Sequence, residues 1–321
     1  MRTRLWHPAE IAAWLAAAAS WFLLGSWHPL LNDVAITALF ALSLDLVLGY
    51  GGIVTLGHAA FFGFGAYAAG YVAKAGFGDP LLCLAVGGLA TAALGFASSF
   101  LVLRGSDLTR LMVTVAASAV LGEIANRWAS VTGGSDGMDG LDVKPLFGRI
   151  AFGLDGHAAY ALSLVVLFVA FAVARALVRS PFGWSVRAVG ANPRRAAAIG
   201  IPVTRRLVAI YTIGAAYAGL AGALLTVTTQ FASLEGLSIQ RSADTLLMVV
   251  VGGAGTLYGA LAGAVVFRLV QNWLSSLTPE YWQFWVGIAL MALVLARPEG
   301  EVAWPVLLWR RLRRREPGGR R

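Results

Sequence analysis

Charge is scarce in this chain. Only 13% of its 321 residues are Asp, Glu, Lys or Arg, and 58% are hydrophobic. Soluble domains carry about 25% charged residues, so a water-soluble globule is excluded. The mean hydropathy of +0.73 agrees. Cysteine is nearly absent. Cys83 alone cannot form a disulfide within the chain, and in its apolar run it reads as a small packed residue. Lysine is nearly absent too. Neither Lys74 nor Lys144 follows a glycine-rich loop and no GxxxxGK[ST] occurs, so ATP is not held here in the P-loop manner. The chain has no H-E-x-x-H, no paired Cys/His set and no G-x-S-x-G. The expectation is a non-enzyme with no catalytic residue, no metal ligand and no cofactor of its own. A cleavable signal is missing as well. The first apolar run, from Ile11, leads into Trp27, His28 and Pro29 rather than a small-residue cleavage site, so it is expected to stay as a span.

What the chain has instead is apolar runs near 20 residues, each able to cross a bilayer as a helix. The candidate spans are Ile11 to Trp27, Asp33 to Leu48, His58 to Phe77, Leu81 to Leu103, Thr109 to Trp128, Tyr160 to Val178, Leu207 to Gln230, Asp244 to Leu257, Gly259 to Trp273 and Trp282 to Ala296. The predicted fold is therefore all-α, a polytopic membrane bundle of about ten spans. Its formal charge of +9 comes from a central basic loop and from the tail RRLRRREPGGRR. Both flank spans, so they read as topology signals that favour anionic lipid, not as a nucleic-acid surface. With Arg2 and Arg4 inside, the Arg104 to Arg110 turn, the central loop and the tail also fall inside. The loop from Ala129 to Ala159, with Asp136, Asp139, Asp142 and Asp155, falls outside. Both termini are then cytoplasmic, unless one of the short segments after Asp244 is re-entrant. Trp27, Trp128, Trp273, Trp282 and Trp309 read as interfacial belt residues.

Seven arginines lie between Arg175 and Arg206. The stretch from Ser180 to Arg206 reads SPFGWSVRAVGANPRRAAAIGIPVTRR. Ser180 can cap a helix with Pro181 at its first position, and Gly190 can end it. Asn192 can cap a second helix that opens on Pro193, ends at Gly200 and cannot resume past Pro202. Two short, capped, basic helices between spans present a cytoplasmic surface, which suggests an outside engine. The bland alternative is a solvated loop that only sets topology.

The glycines cluster in GYGGIVTLGHAAFFGFGAY, Gly49 to Tyr67, and in GGAGTLYGALAG, Gly252 to Gly263. Close helix packing accounts for Gly63, Gly259 and Gly263. It accounts less well for GYGG and GGAG, because paired glycines weaken a helix. Unwound backbone at membrane depth is tolerated only against protein or a water-filled path, and broken helices mark substrate routes in transporters. Gly51, Gly52, Thr55, Gly57, His58, Gly252 and Gly253 are the candidate path residues. The plain reading of His58 is a histidine near a span end, bonded to a backbone carbonyl. Asp45 and Glu123 lie within spans, where carboxylates tend to face the bundle interior or a cavity. Asp45 is close enough to an end to be hydrated, and Arg110 is expected to pair with a carboxylate.

Four ordered motifs resemble the branched-chain amino-acid type ABC importer permeases, the LivH/LivM family. GYGGIVTLGHAAFFGFGAY resembles the family's glycine-rich signature, with Thr55 where Ser is usual. TGGSDGMDGL, Thr132 to Leu141, resembles the outer loop of the LivM-type subunit. RAVGANPRRAAAIGIPVTRR resembles the coupling segment, and MVVVGGAGTLYGALAGAVV the late glycine motif. The resemblance implies one permease domain over residues 1–321. Within it lie an N-terminal span at 1–31, a core at 32–296, a coupling loop at 180–206 and a basic tail at 297–321. It implies a place in a bacterial plasma (inner) membrane, a second homologous permease in a heterodimer, two cytoplasmic ATPases that use ATP, and a periplasmic or extracellular solute-binding protein. On this reading Ala196, Ala197 and Ile199 fill a groove on an ATPase. Arg194 and Arg195 meet acidic partners or lipid phosphates, and Asn192, Pro193 and Gly200 frame the coupling helix. The rival classes are an ion-coupled secondary transporter and a channel for a small polar solute.

Overall fold

The computed structural model describes residues 8–23, 25–145 and 156–277, with scattered positions between 281 and 291. Among the described residues twelve α-helices follow in order. They are α1 Pro8–Leu23, α2 His28–Leu44, α3 Ala59–Lys74, α4 Pro80–Val102, α5 Asp107–Arg127, α6 Ala129–Thr132, α7 His157–Arg179, α8 Pro181–Ala191, α9 Pro193–Ala198, α10 Val203–Thr229, α11 Ile239–Gly252 and α12 Leu257–Leu277. Among those residues the strand content is one isolated antiparallel bridge, Met138 to Ala232. Local chemistry sets several starts. The Asp79 carboxylate accepts from the Leu81 and Leu82 N–H groups with Pro80 at the first position of α4. Ser238 Oγ accepts from Arg241 N at 3.2 Å to open α11. Each bond satisfies an N–H that the first helical turn leaves without a partner.

Five of the described helices are long and apolar enough to cross a membrane: α2 with its continuation to Tyr50, α4, α5, α7 and α10. A sixth is added if α11 and α12, bent by 118° at their junction, cross as one. The expectation of about ten is corrected on length. α1 and α3 have 16 residues each, or about 24 Å at 1.5 Å per residue, against a hydrocarbon core of about 30 Å. The segments expected at Asp244 to Leu257 and Gly259 to Trp273 belong to the two arms of the bent pair. The span expected from Trp282 to Ala296 lies largely outside the described residues, and so do the tail and Trp309.

Helix α10 is the hub, packed on α4, α3 and α2. Small residues let these backbones close up. A Cβ on Gly222 would overlap the Phe62 carbonyl, one on Gly65 would overlap the Gly219 backbone, and one on Gly95 would overlap the Ala215 side chain. Contacts sort the chain into two ends. At one end Glu10 pairs with Arg175, which also donates to Tyr258 Oη at 3.1 Å. Asp45 meets Gly255 and Gly52 meets Gly190 at that same end. At the other end Trp21 Nε1 donates to the His157 carbonyl at 3.2 Å, and Met138 N donates to the Ala232 carbonyl at 2.7 Å. Lys144 Nζ donates there to the Gly76 carbonyl at 2.9 Å.

Candidate functional site

The basic segment folds as two capped helices. Ser180 Oγ accepts from Gly183 N at 3.3 Å, with Pro181 opening α8. Asn192 Oδ1 accepts from Arg195 N at 3.0 Å, with Pro193 opening α9. Gly200, at φ +84°, follows the end of α9 as a left-handed residue suited to glycine. Two details differ from expectation. Helix α8 runs through Gly190 to Ala191 rather than ending at the glycine. Ala196 is 2% exposed and packs inward with the core, so it anchors α9 and cannot fill an external groove. Arg194, Arg195 and Ala197 are exposed, and Ile199 is 75% exposed. Ala197 and Ile199, just after the two arginines, therefore remain presented outward.

The first glycine stretch sits where α2 ends. The last turns of α2 widen into a π-helix, Asp45–Tyr50, closed by Gly51 N donating to the Leu46 carbonyl at 3.2 Å. Such bulges recur at functional positions. From 51 to 58 the chain has no helix, and α3 begins at Ala59. Gly52 has φ +66°, and a Cβ on it would meet the Gly190 Cα at 3.1 Å. Gly51 is buried, and a Cβ on it would meet the Val47 carbonyl oxygen at 2.6 Å. Helix α8 thus touches this stretch directly, backbone to backbone.

Thr55, Gly57 and His58 lie deeper in the bundle. Thr55 is buried, and its Oγ1 accepts from Gly57 N at 3.3 Å. Gly57 packs so closely on α5 that a Cβ would overlap the Thr114 carbonyl. It also borders a cleft of about 500 Å³ between α3, α4, α5 and α10. The cleft is mainly apolar, with hydroxyls at Ser98, Thr114 and Tyr211. His58 is fully buried and stacks on Phe40, with ring centroids 5.6 Å apart. The backbone carbonyl expected as its partner is replaced by a side chain, because Ser43 Oγ lies 2.9 Å from His58 Nε2.

The second stretch meets the first. Gly253, at φ +97°, and Gly255, at φ +79°, form the turn between α11 and α12. Gly252 packs on the start of α12, where a Cβ would overlap the Gly259 carbonyl. Asp45 is 0% exposed, which corrects the expectation of a hydrated carboxylate, and its Oδ1 accepts from Gly255 N at 2.6 Å. Sequence spacing alone could not join residues 210 positions apart. Glu123 is corrected the other way. It faces out of the chain, 54% exposed, and pairs with Arg127 at 2.5 Å. Arg110 pairs with Asp107 at 3.0 Å, and Cys83 is buried and free.

The family model for the branched-chain amino acid transport system permease component matches residues 28–295. Similar chains include the high-affinity branched-chain amino acid transport system permease protein LivM of Escherichia coli, 26% identical over 90% of this chain and 73% of the relative. The LivM protein of Salmonella typhimurium is 26% identical over 82% of this chain and 66% of the relative. The ribose import permease protein RbsC of Bacillus subtilis is 28% identical over 83% and 82%. No solved structure matches this chain. With its membrane-spanning helices, its two glycine-rich stretches and its capped basic segment all inside or along the matched region, the chain belongs to the family of branched-chain amino acid transport system permease components.

Proposed function

We propose that this chain is the translocation subunit of an ATP-binding-cassette importer for branched-chain or other small amino acids or amides. The observation that carries the reading is α9. It is a capped basic helix, anchored by Ala196, that presents Arg194, Arg195 and Ala197, with Ile199 at its end. It stands next to α8, whose Gly190 abuts Gly52. A permease needs no covalent chemistry of its own. It needs two packings of one bundle and partners with different affinity for each. Two cytoplasmic ATPases would dock on Arg194, Arg195, Ala197 and Ile199 and use ATP. A solute-binding protein would dock at the opposite end, and a second homologous permease would complete a heterodimer. The substrate path would pass beside Gly51, Gly52, Thr55, Gly57, His58, Gly252 and Gly253. The cleft at Gly57 supports this, and so does the unwound backbone from 51 to 58. The chain would lie in a bacterial plasma membrane with the α8–α9 end and both termini in the cytoplasm.

Reconstitution in proteoliposomes tests the class. The expected result is uptake that requires ATP, the partner ATPases and the binding protein together. Uptake without any ATPase would make the chain a secondary transporter, and ungated flux would make it a channel. Orientation has its own test in a Cys83→Ala background. Ser135→Cys should react with an impermeant maleimide in intact cells, and Asn192→Cys only after the membrane is opened. Labelling of Asn192→Cys in sealed cells would invert the topology.

A further inference from the structure

The roles above leave Asp45 unused, yet it stands where three segments converge. The turn between α11 and α12 presses on the end of α2 with no side chain between them. A Cβ on Gly255 would meet the Gly49 carbonyl oxygen at 3.1 Å. The hydrogen bond that ties these backbones runs from Gly255 N to Asp45 Oδ1 at 2.6 Å. The other carboxylate oxygen, Oδ2, has no hydrogen-bond partner among the described residues. One oxygen therefore makes the whole connection. The third segment is α8. A Cβ on Gly190 would meet the Tyr50 carbonyl oxygen at 2.7 Å. The Arg187 guanidinium lies over the Tyr50 ring, 4.6 Å from its centroid.

The geometry points to Asp45 as a positioning residue for coupling. Its carboxylate locks the α11–α12 turn to the end of α2, so that a displacement of α8 against Tyr50–Gly52 carries α12 with it. The inference rests on the importer reading, and it adds what that reading leaves open: how motion at α8 and α9 reaches the second glycine stretch. Two close-packed backbones slide past one another unless a directional bond fixes them. Removing the acceptor leaves the half-buried Gly255 N–H without its protein partner and frees the turn. Asn keeps an acceptor oxygen at the same reach, whereas Ala does not.

The experiment uses the complete complex with partner ATPases and binding protein in proteoliposomes. Asp45→Ala is expected to lower binding-protein-stimulated ATP hydrolysis and uptake by up to about ten-fold, the size that loss of one hydrogen bond allows. Basal hydrolysis and the thermal stability of the complex should stay near wild type, and Asp45→Asn should restore stimulation. Arg187→Gln, on the exposed side of α8, should lower stimulation in the same direction by a smaller factor. Full stimulation in Asp45→Ala overturns the inference, and so does failure of Asn to restore it. If Asp45→Ala does not assemble, unchanged stimulation in Arg187→Gln overturns it too. A wild-type complex without ATP-driven uptake would instead overturn the importer reading, which keeps the two failures apart.

Discussion

Along the seam of α3, α4 and α10 the glycines sit inside regular helical turns, whereas at 49–57 and 252–255 they sit where helices stop. Gly65, Gly95 and Gly222 have ordinary helical backbone, and each removes a Cβ that would strike a neighbouring helix. Gly52, Gly253 and Gly255 have positive φ and lie in turns. Seam glycines bring helices together. Junction glycines let the chain leave a helix and turn against neighbouring protein. The same residue type thus serves cohesion in one region and bending in the other. Substitutions should separate the two by what is lost first, assembly or transport.

The largest effect is expected in the seam. Gly222→Val would drive a side chain into the Phe62 carbonyl. Backbone cannot give way as a flexible side chain does, so the cost should reach the upper end of the roughly 1–3 kcal/mol seen for overpacked cores. Gly263→Val, aimed at the Met248 carbonyl, should behave alike. Thermal unfolding of the purified complex in detergent reads both. Next comes Gly52→Val. It should abolish uptake while the complex still assembles and still hydrolyses ATP at its basal rate, because the strain falls on a local turn beside Gly190. Loss of assembly in this variant would move Gly52 into the seam class and remove the main support for a path there.

A smaller and more specific effect is expected at α9. Ala197→Glu places a charge on the outward face and should uncouple transport with expression intact, since an unpaired charge buried in an interface is costly. ATPases that still co-purify, with uptake preserved, would show that α9 is not the docking helix. Ala196→Glu sharpens the contrast. That side chain points inward, so the variant should lose thermal stability rather than coupling alone. The smallest effect belongs to the cap. Asn192→Ala removes the bond to Arg195 N and should destabilise α9 by about 1 kcal/mol. It should lower uptake in part, and Asn192→Ser should recover most of it.

The capped basic helices were legible in the sequence because Ser-Pro and Asn-Pro act through bonds three residues away. The start of α4 at Asp79–Pro80 follows the same local rule. Span count was less legible. Hydropathy measures apolarity and does not register where a helix breaks, so it reads α3, at 16 residues, as a full span and the two arms of the bent α11–α12 pair as two. Burial was illegible as well. The α2 span has 83% of its core window buried and α5 has 17%, although both are apolar enough to cross a membrane.

By itself the sequence determined the class of the molecule, the positions of its glycine stretches and the two capped basic helices α8 and α9. Composition, turn residues and helix caps act through neighbours in the chain, so they can be read from order alone. The tertiary structure alone decided which glycines cohere and which bend, that Ala196 turns inward, that Glu123 faces out, and that Asp45 closes on Gly255. Each of these depends on a partner far away in sequence, and packing chooses such partners by shape and by the need to satisfy buried polar groups.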